Sequence, residues 1–473
     1  MGTQKAFSNS TLFNGLPPQK VLFCIIDIGK NVHTFSFLTA SGQTICPPTK
    51  TLTNLQGFNS FSSSLQKAIR QTSPDLVIFA YEASGIYHLP WQDALFARFL
   101  DHFNSQAHPT FQIRLLQPSQ VKASRQARSP RKRKTDPIDI HAMSDLLAKN
   151  LGNPITPPST TSLLLQQSVA NLRYYTQQLA SLSISILRTI DRLWPGALIN
   201  IPRFQRAHPE LSPPEPLVRS KPLQRQTLRL LIQHCPNPYH IRQLGPQGIR
   251  ELFHSHNLRC GPKRANHIYQ LAINSLLPPE PLAESLASFL QTQFRLYLEV
   301  EQAIALTEQT LAQIIPSSPA KHLLTMPGIS TVLAARYLAL VGFPLRFETP
   351  QQAWALAGMD QEVYITGDKV YLGPITRRGN PYHRDTLFKM GFQVALHCPA
   401  IGLTYVNALK RGKGEVGATI HTANRVHRIA FALLRKQEDF RPPPISPAKA
   451  RYVKEQMRRR KAHRSQKVKA RQG

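Results

Sequence analysis

Asp136 and Asp139 stand three apart in KTDPIDIHAMSDLL, at the front of a predicted helix. Just before them come Lys122, Arg125, Arg128, Arg131, Lys132, Arg133 and Lys134, seven cations in a stretch, residues 122–134, that holds no acid. Two further acids close apolar runs: Asp27 ends VLFCIID and Glu82 ends DLVIFAYE. On its own the helix-front pair has a plain structural use. Asp136 suits an N-cap, Pro137 the first helical position, and Asp139 a first turn whose dipole favours negative charge. Together with Asp27 and Glu82 it has a chemical use. Strand ends and helix starts meet at one edge of an α/β sheet, so four carboxylates can share a cleft. Crowded carboxylates repel and raise one another's pKa. A divalent cation resolves that conflict, and an all-oxygen donor set selects Mg²⁺ or Mn²⁺. A two-metal site of this kind serves phosphodiester chemistry, activating an attacking oxygen and stabilising a leaving one. The seven cations would hold the phosphate backbone over it.

The elements that must position these acids follow from periodicity. Residues 21–29 read as a buried strand ending in Asp-x-Gly, and VHTFSFL (32–38) alternates and pairs with it as a hairpin. Leu55, Phe58, Phe61, Leu65 and Ile69 recur at helical spacing behind an Asn54 cap. Residues 75–84 predict a second buried strand, 86–103 a helix and 111–118 a further strand. This alternation predicts one α/β domain over residues 20–150. From 158 to 316 the pattern is helical. Leu290, Tyr297, Val300, Ile304, Leu311 and Ile314 form a coiled-coil-like seam, either internal or between chains. A proline-rich linker (202–222) and a small helical module around GPKRANHIYQLAIN interrupt the region. Residues 317–440 read as a compact, mostly α domain. It starts with a helix-hairpin-helix-like LLTMPGISTVLAARYLALVG, which either offers backbone N–H groups to phosphates or is a plain turn. Residues 441–473 are a basic tail, expected to be disordered or a helix formed on nucleic acid.

Charge points to the partner. The 473-residue chain carries 58 Lys and Arg against 26 Asp and Glu, a net +32. Setting aside residues 122–134 (+7) and 449–471 (eleven cations, one acid, +10) still leaves +15 on the rest, so the body is basic as well as its tail. A polyanion, DNA or RNA, is the natural partner. Five cysteines lie far apart, without zinc-site spacing, and read as reduced thiols of a cytosolic protein. The first twenty residues lack the apolar core of a signal peptide, and Arg336 interrupts the most apolar helix. The expectation is therefore a cytoplasmic protein with no membrane partner.

Three blocks, CIIDIGKNVHTFSF, YEASGIYHLP and KTDPIDIHAMSDLL, resemble the DEDD transposases of the insertion-sequence-110 type, relatives of the Piv-type DNA invertases. The likeness spans roughly residues 20–150 and continues through 317–438, with a looser helical middle. It implies a RuvC-like, ribonuclease-H-like N-terminal domain, a helical coiled-coil middle and a mostly α C-terminal transposase domain. It also implies that Asp27, Glu82, Asp136 and Asp139 are the metal-binding catalytic acids. In the family the C-terminal domain supplies a serine nucleophile in a Ser-Gly pair between LAGM-like and ITRRGN-like segments. Here the matching residue is Thr366, before Gly367, in VYITGDKVYLGPITRRGN. A threonine hydroxyl serves as a nucleophile when activated, though it is bulkier and stiffer than serine. Thr376 is a weaker stand-in, and a strand residue without chemical role is the bland reading of Thr366. Arg377 and Arg378 beside this loop would grip phosphates, or form a solvated basic face. The resemblance further implies prokaryotic, nucleoid-associated action on donor and target DNA, guidance by a structured bridge RNA, and a homodimer or homotetramer. Two other readings stand beside it: a RuvC-like metal-dependent nuclease without a covalent intermediate, and an inactive copy that only binds nucleic acid.

Overall fold

The computed structural model describes residues 13, 15–82, 85–128, 135–343, 345–367 and 369–471, in two compact units that divide at residue 159. The first is a six-stranded mixed sheet with helices on both faces. Its elements run β1 (Val21–Asp27), β2 (Val32–Thr39), β3 (Thr44–Leu52), α1 (Leu55–Thr72), β4 (Leu76–Glu82), α2 (Leu89–Arg98), α3 (Leu100–Phe103), β5 (Thr110–Leu116), α4 (Pro118–Arg128), α5 (Asp136–Ala148) and β6 (Asn153–Ile155). The strand order is β3-β2-β1-β4-β5-β6. β1, β4 and β5 are parallel, β2 is antiparallel to β1 and to β3, and β6 is antiparallel to β5. This is the ribonuclease-H-like α/β sheet expected.

Strand alternation sorts the sheet's side chains between two cores. Leu22, Cys24 and Ile26 of β1, with Val77, Phe79 and Tyr81 of β4, pack against Phe58, Phe61 and Leu65 of α1 and Trp91 and Leu95 of α2. Val21, Phe23 and Ile25, with Leu76, Ile78 and Ala80, pack against Ile140, Met143, Leu146 and Leu147 of α5. Burying each of these α5 side chains is worth about 1.5–3 kcal/mol, which fixes the helix over the sheet. Asn54 caps α1 as expected, its side chain accepting from the Gly57 N–H at 3.0 Å.

Four expectations change. The predicted helix over 86–103 breaks at Phe99 into α2 and α3. β3 was not anticipated; its Pro47 and Pro48 sit on the sheet's edge, where a missing N–H costs little. The basic stretch after β5 begins as a regular helix, α4. Asp136 is not the N-cap of α5; Thr135 holds that position and Asp136 is the first helical residue.

The second unit is mostly helical: α6 (Thr160–Leu193), α7 (Ile201–Ala207), α8 (Gln226–His234), α9 (Pro238–Ser255), α10 (Pro262–Ile273), α11 (Glu280–Ile314), α12 (Lys321–Leu324), α13 (Thr331–Val341), α14 (Pro350–Leu356), the hairpin β7 (Gln361–Thr366) and β8 (Lys369–Ile375), α15 (Pro381–His397), α16 (Pro399–Lys410), α17 (Glu415–Lys436) and α18 (Pro447–Arg471). α6 and α11 pair lengthwise, so the seam is internal to the chain. One end of the pair, with Leu165, Val169, Leu172 and Leu311, lies in the core built by α13, α15 and α17. The other end, with Ile186, Ile190, Leu290 and Tyr297, anchors the insert of α8, α9 and α10. The region expected as a linker is partly core, because Leu217 and Val218 are buried in that insert. α18 is a helix lying on α15 and α16. Among the described residues no helix is long and apolar enough to cross a membrane.

Candidate active site

The sheet puts three of the four acids along one edge. The register of β1 with β4 runs from Val21↔Leu76 to Ile26↔Tyr81, so Asp27 and Glu82 are the next residues on two adjacent parallel strands. Strands in this relation lie roughly 4.8 Å apart. Asp27 continues the parity of Val21, Phe23 and Ile25, and Glu82 that of Leu76, Ile78 and Ala80. Both therefore face the side of the sheet that carries α5. Thr34 on β2 is registered opposite Asp27 and shares that face. Its hydroxyl donates to Asp136 Oδ2 at 2.9 Å. Asp136 thus spends its side chain on the sheet rather than on capping its own helix, at the residue registered opposite Asp27.

The backbone around Asp27 is held tightly. A Cβ on Gly29 would lie 2.2 Å from the Val32 carbonyl oxygen, so only glycine fits the turn after β1. The Gly29 N–H donates to Nδ1 of His33 at 3.2 Å, and the His33 ring meets Trp91 edge-on at 4.6 Å between centroids. Burial lowers the His33 pKa to about 4, so the imidazole is neutral at ordinary pH and its Nδ1 stays an acceptor. Neither Thr34 nor His33 was singled out from the sequence. The signal was present in VHTFSF, whose alternation assigns Thr34 to the Asp27 face.

Asp139 is placed differently. It is buried, and Arg125 Nη1 of α4 bonds its Oδ1 at 2.7 Å. Arg128 of the same helix pairs with Asp145 of α5. Two of the cations expected on a phosphate backbone therefore clamp α4 to α5, while Lys122 is exposed. Arg131, Lys132, Arg133 and Lys134 lie outside the described residues. The acids suit a hard divalent cation in chemistry and in being mounted on the ends of rigid elements. Among the described residues, however, no three His, Cys, Asp or Glu side chains are gathered closely enough to hold a metal ion. Asp27, Glu82 and Asp136 share an edge; Asp139 has its Oδ1 engaged by Arg125.

Thr366 is exposed at the end of β7, paired with Lys369 across the hairpin tip, and Gly367 takes φ 58° there. The hairpin pairs with no other described strand. Val363, Tyr364, Ile365, Val370, Tyr371 and Leu372 are all more than half exposed, so the two tyrosines do not belong to the core. Its base is closed by backbone. A Cβ on Gly358 would meet Arg378 N at 2.8 Å, one on Gly379 would meet Gly358 N at 2.4 Å, and the Asn380 N–H donates to the Leu356 carbonyl at 2.7 Å. Thr376 is used in this closure, its hydroxyl donating to Asp360 Oδ1 at 2.9 Å. Arg377 and Arg378 are exposed at the same base. The strands separate them from Thr366 by roughly 20 Å, so this unit does not gather them at the hydroxyl.

The helix-hairpin-helix-like start is a packed turn. A Cβ on Gly328 would lie 2.6 Å from the Gln393 carbonyl oxygen of α15, and Ser330 caps α13 by accepting from the Leu333 N–H. Arg336, which broke the apolar run, pairs with Asp385 at 2.7 Å and stacks on Tyr382 at 4.0 Å.

A ribonuclease-H-like sheet with acids at the carboxyl ends of its central strands, followed by a helical region, defines a DEDD-type enzyme class, and sequence comparison agrees. A DEDD transposase model of the IS110 type matches residues 24–195, which hold all four acids. The model described as Transposase IS116/IS110/IS902 family matches residues 320–407, which hold Thr366, Arg377 and Arg378. The two matches together cover more than half of the chain, which belongs to the IS110 family of transposases. Relatives include a "Probable family 20 transposase" of Pseudomonas aeruginosa, 27% identical over 169 residues, which are 35% of this chain and 50% of that protein. An "Insertion element IS110 uncharacterized 43.6 kDa protein" of Streptomyces coelicolor is 23% identical over 215 residues, 45% of this chain and 53% of the relative. The chain spans about half the length of these curated relatives.

Proposed function

We propose that this protein is a DNA transposase that cuts and rejoins strands at the ends of its own insertion sequence through a covalent protein–DNA intermediate. The observation that carries the reading is that Asp27 and Glu82 end adjacent parallel strands on one face of the sheet, while Asp136 accepts a hydrogen bond from Thr34, the residue registered opposite Asp27. Asp27, Glu82, Asp136 and, once released by Arg125, Asp139 would hold Mg²⁺ or Mn²⁺, which when bound supplies charge stabilisation to a reacting phosphodiester. The Thr366 hydroxyl attacks the scissile phosphorus. Its Oγ–P bond forms as the P–O bond to the departing strand breaks. The hydroxyl proton is lost to solvent and the departing oxygen takes one up, leaving a free DNA hydroxyl. Attack by the hydroxyl of another strand on the Thr366 phosphodiester reverses the step and completes the exchange. The resemblance to the family supports guidance by a structured RNA and action as a dimer or tetramer, and the net charge of +32 suits two nucleic acids at once.

The second reading, a metal-dependent nuclease using water, is favoured by the threonine where the family has serine. Incubation with Mg²⁺, co-purifying RNA and DNA from the element's own ends separates the two. A denaturant-resistant adduct should form with wild type and Thr366→Ser and disappear with Thr366→Ala. An adduct with Thr366→Ala refutes the nucleophile; nicking by wild type without any adduct supports the second reading.

A further inference from the structure

α18 carries the densest run of charge in the described chain that the candidate site does not use. Residues 447–471 contain eleven Lys and Arg and one acid, Glu455. The helix is nevertheless seated. Val453 and Met457 are buried among Phe392, Ala395, Tyr405 and Val406. Gly402 of α16 leaves room for this approach, since a Cβ there would meet Val453 Cγ1 at 2.8 Å. Arg460 bonds Glu415 of α17 at 3.1 Å, and Lys410 lies over the Tyr452 ring at 4.9 Å. The apolar face is therefore consumed, and what the helix offers outward is cationic.

Arg451, Lys454, Arg458 and Lys461 are all exposed and follow a three-four-three spacing, so they form one stripe along the helix. Glu455, the helix's own acid, is taken by Arg459, and among the described residues none of the four stripe cations has an ion pair. With a rise of about 1.5 Å per residue the stripe is roughly 15 Å long. One strand of a DNA duplex presents a phosphate about every 3.4 Å of axis, so the stripe spans about four. A membrane surface is a poor match, because binding there uses an exposed apolar helix face and this one is buried. RNA recognition draws on stacking platforms and 2′-hydroxyl contacts that a row of solvated cations does not provide.

We infer that α18 is a further nucleic-acid surface that grips the phosphate backbone of double-stranded DNA without reading its sequence. The identity of the polyanion rests on the DNA-acting reading above; the surface does not. The test uses the full-length protein and a duplex of arbitrary sequence in EDTA, so no cleavage enters. One variant carries Arg451→Gln, Lys454→Gln, Arg458→Gln and Lys461→Gln; the control carries Lys67→Gln, Arg70→Gln, Lys149→Gln and Lys263→Gln, an equal loss of charge on exposed positions outside α18. Thermal melts confirm that both fold. The stripe variant should weaken binding about 10–100-fold near 0.1 M salt and flatten the salt dependence by about 3–4 log units per log unit, while the control stays near wild type. Equal losses in both variants, or loss of a structured RNA with duplex binding intact, overturn the assignment. An adduct with Thr366→Ala would sink the catalytic reading and leave this one standing.

Discussion

The acid edge and the β7–β8 hairpin hold the two halves of the proposed chemistry in opposite physical settings. Asp27 and Glu82 end strands whose preceding six residues are all buried, so their backbones cannot drift without opening two cores. Thr366 ends a two-stranded ribbon that buries almost nothing and is rigid only at its glycine-closed base. The contrast teaches where preorganisation is built in. The strand ends that carry Asp27 and Glu82 are placed by folding alone. The hydroxyl rides on an exposed apolar ribbon of the sort that marks an interaction surface.

The largest test of that contrast replaces the acids. Asp27→Asn and Glu82→Gln should each lower metal-dependent strand cleavage by about 10³-fold, roughly 4 kcal/mol of transition-state stabilisation, with the melting temperature little changed. A large drop in stability instead would mean that the acids serve the fold. The next is acid titration. His383 and His427 are buried in the second unit with pKa values lowered by burial to about 3 and about 4, and His33 in the first to about 4. A histidine whose folded pKa lies below its ordinary 6.5 contributes stability fully above 6.5. That contribution is lost as pH falls from 6.5 toward the folded value. Both units should weaken across that window, the second more, because it carries two such rings. Hydrogen exchange of α17 against β1 between pH 7 and pH 4.5 measures the difference, and equal loss breaks it. The smallest test is Thr34→Val. Removing the bond to Asp136 should cost about 1 kcal/mol of stability and about tenfold in the metal concentration needed for cleavage. An unchanged metal requirement would show that Asp136 holds its place without Thr34.

Much of the acid edge was legible because β-branched runs and strand alternation are local signals. VLFCIID and DLVIFAYE announce strands, and parity then assigns Asp27 and Glu82 to the face that α5 covers. The fate of Asp139 was not legible. Whether an arginine fourteen residues away serves phosphate or neighbour is decided by how α4 packs on α5, and α4 buries only Val121. The exposed hairpin was equally hidden. VYIT and KVYL have the composition of a core strand, and nothing in their order reveals that no further strand pairs with them.

The α6–α11 pair has a mechanical consequence. On α6 the last side chain in the larger core is Leu172 and the first fully buried one in the insert is Ile186; on α11 the corresponding residues are Leu311 and Tyr297. Each gap is fourteen residues, about 21 Å of helix, and between them Leu179, Leu182, Leu298 and Ile304 are only partly covered. The pair is a spacer of set length with a firm grip at either end and its weakest lateral adhesion midway, so under load it should flex at its waist before either end lets go.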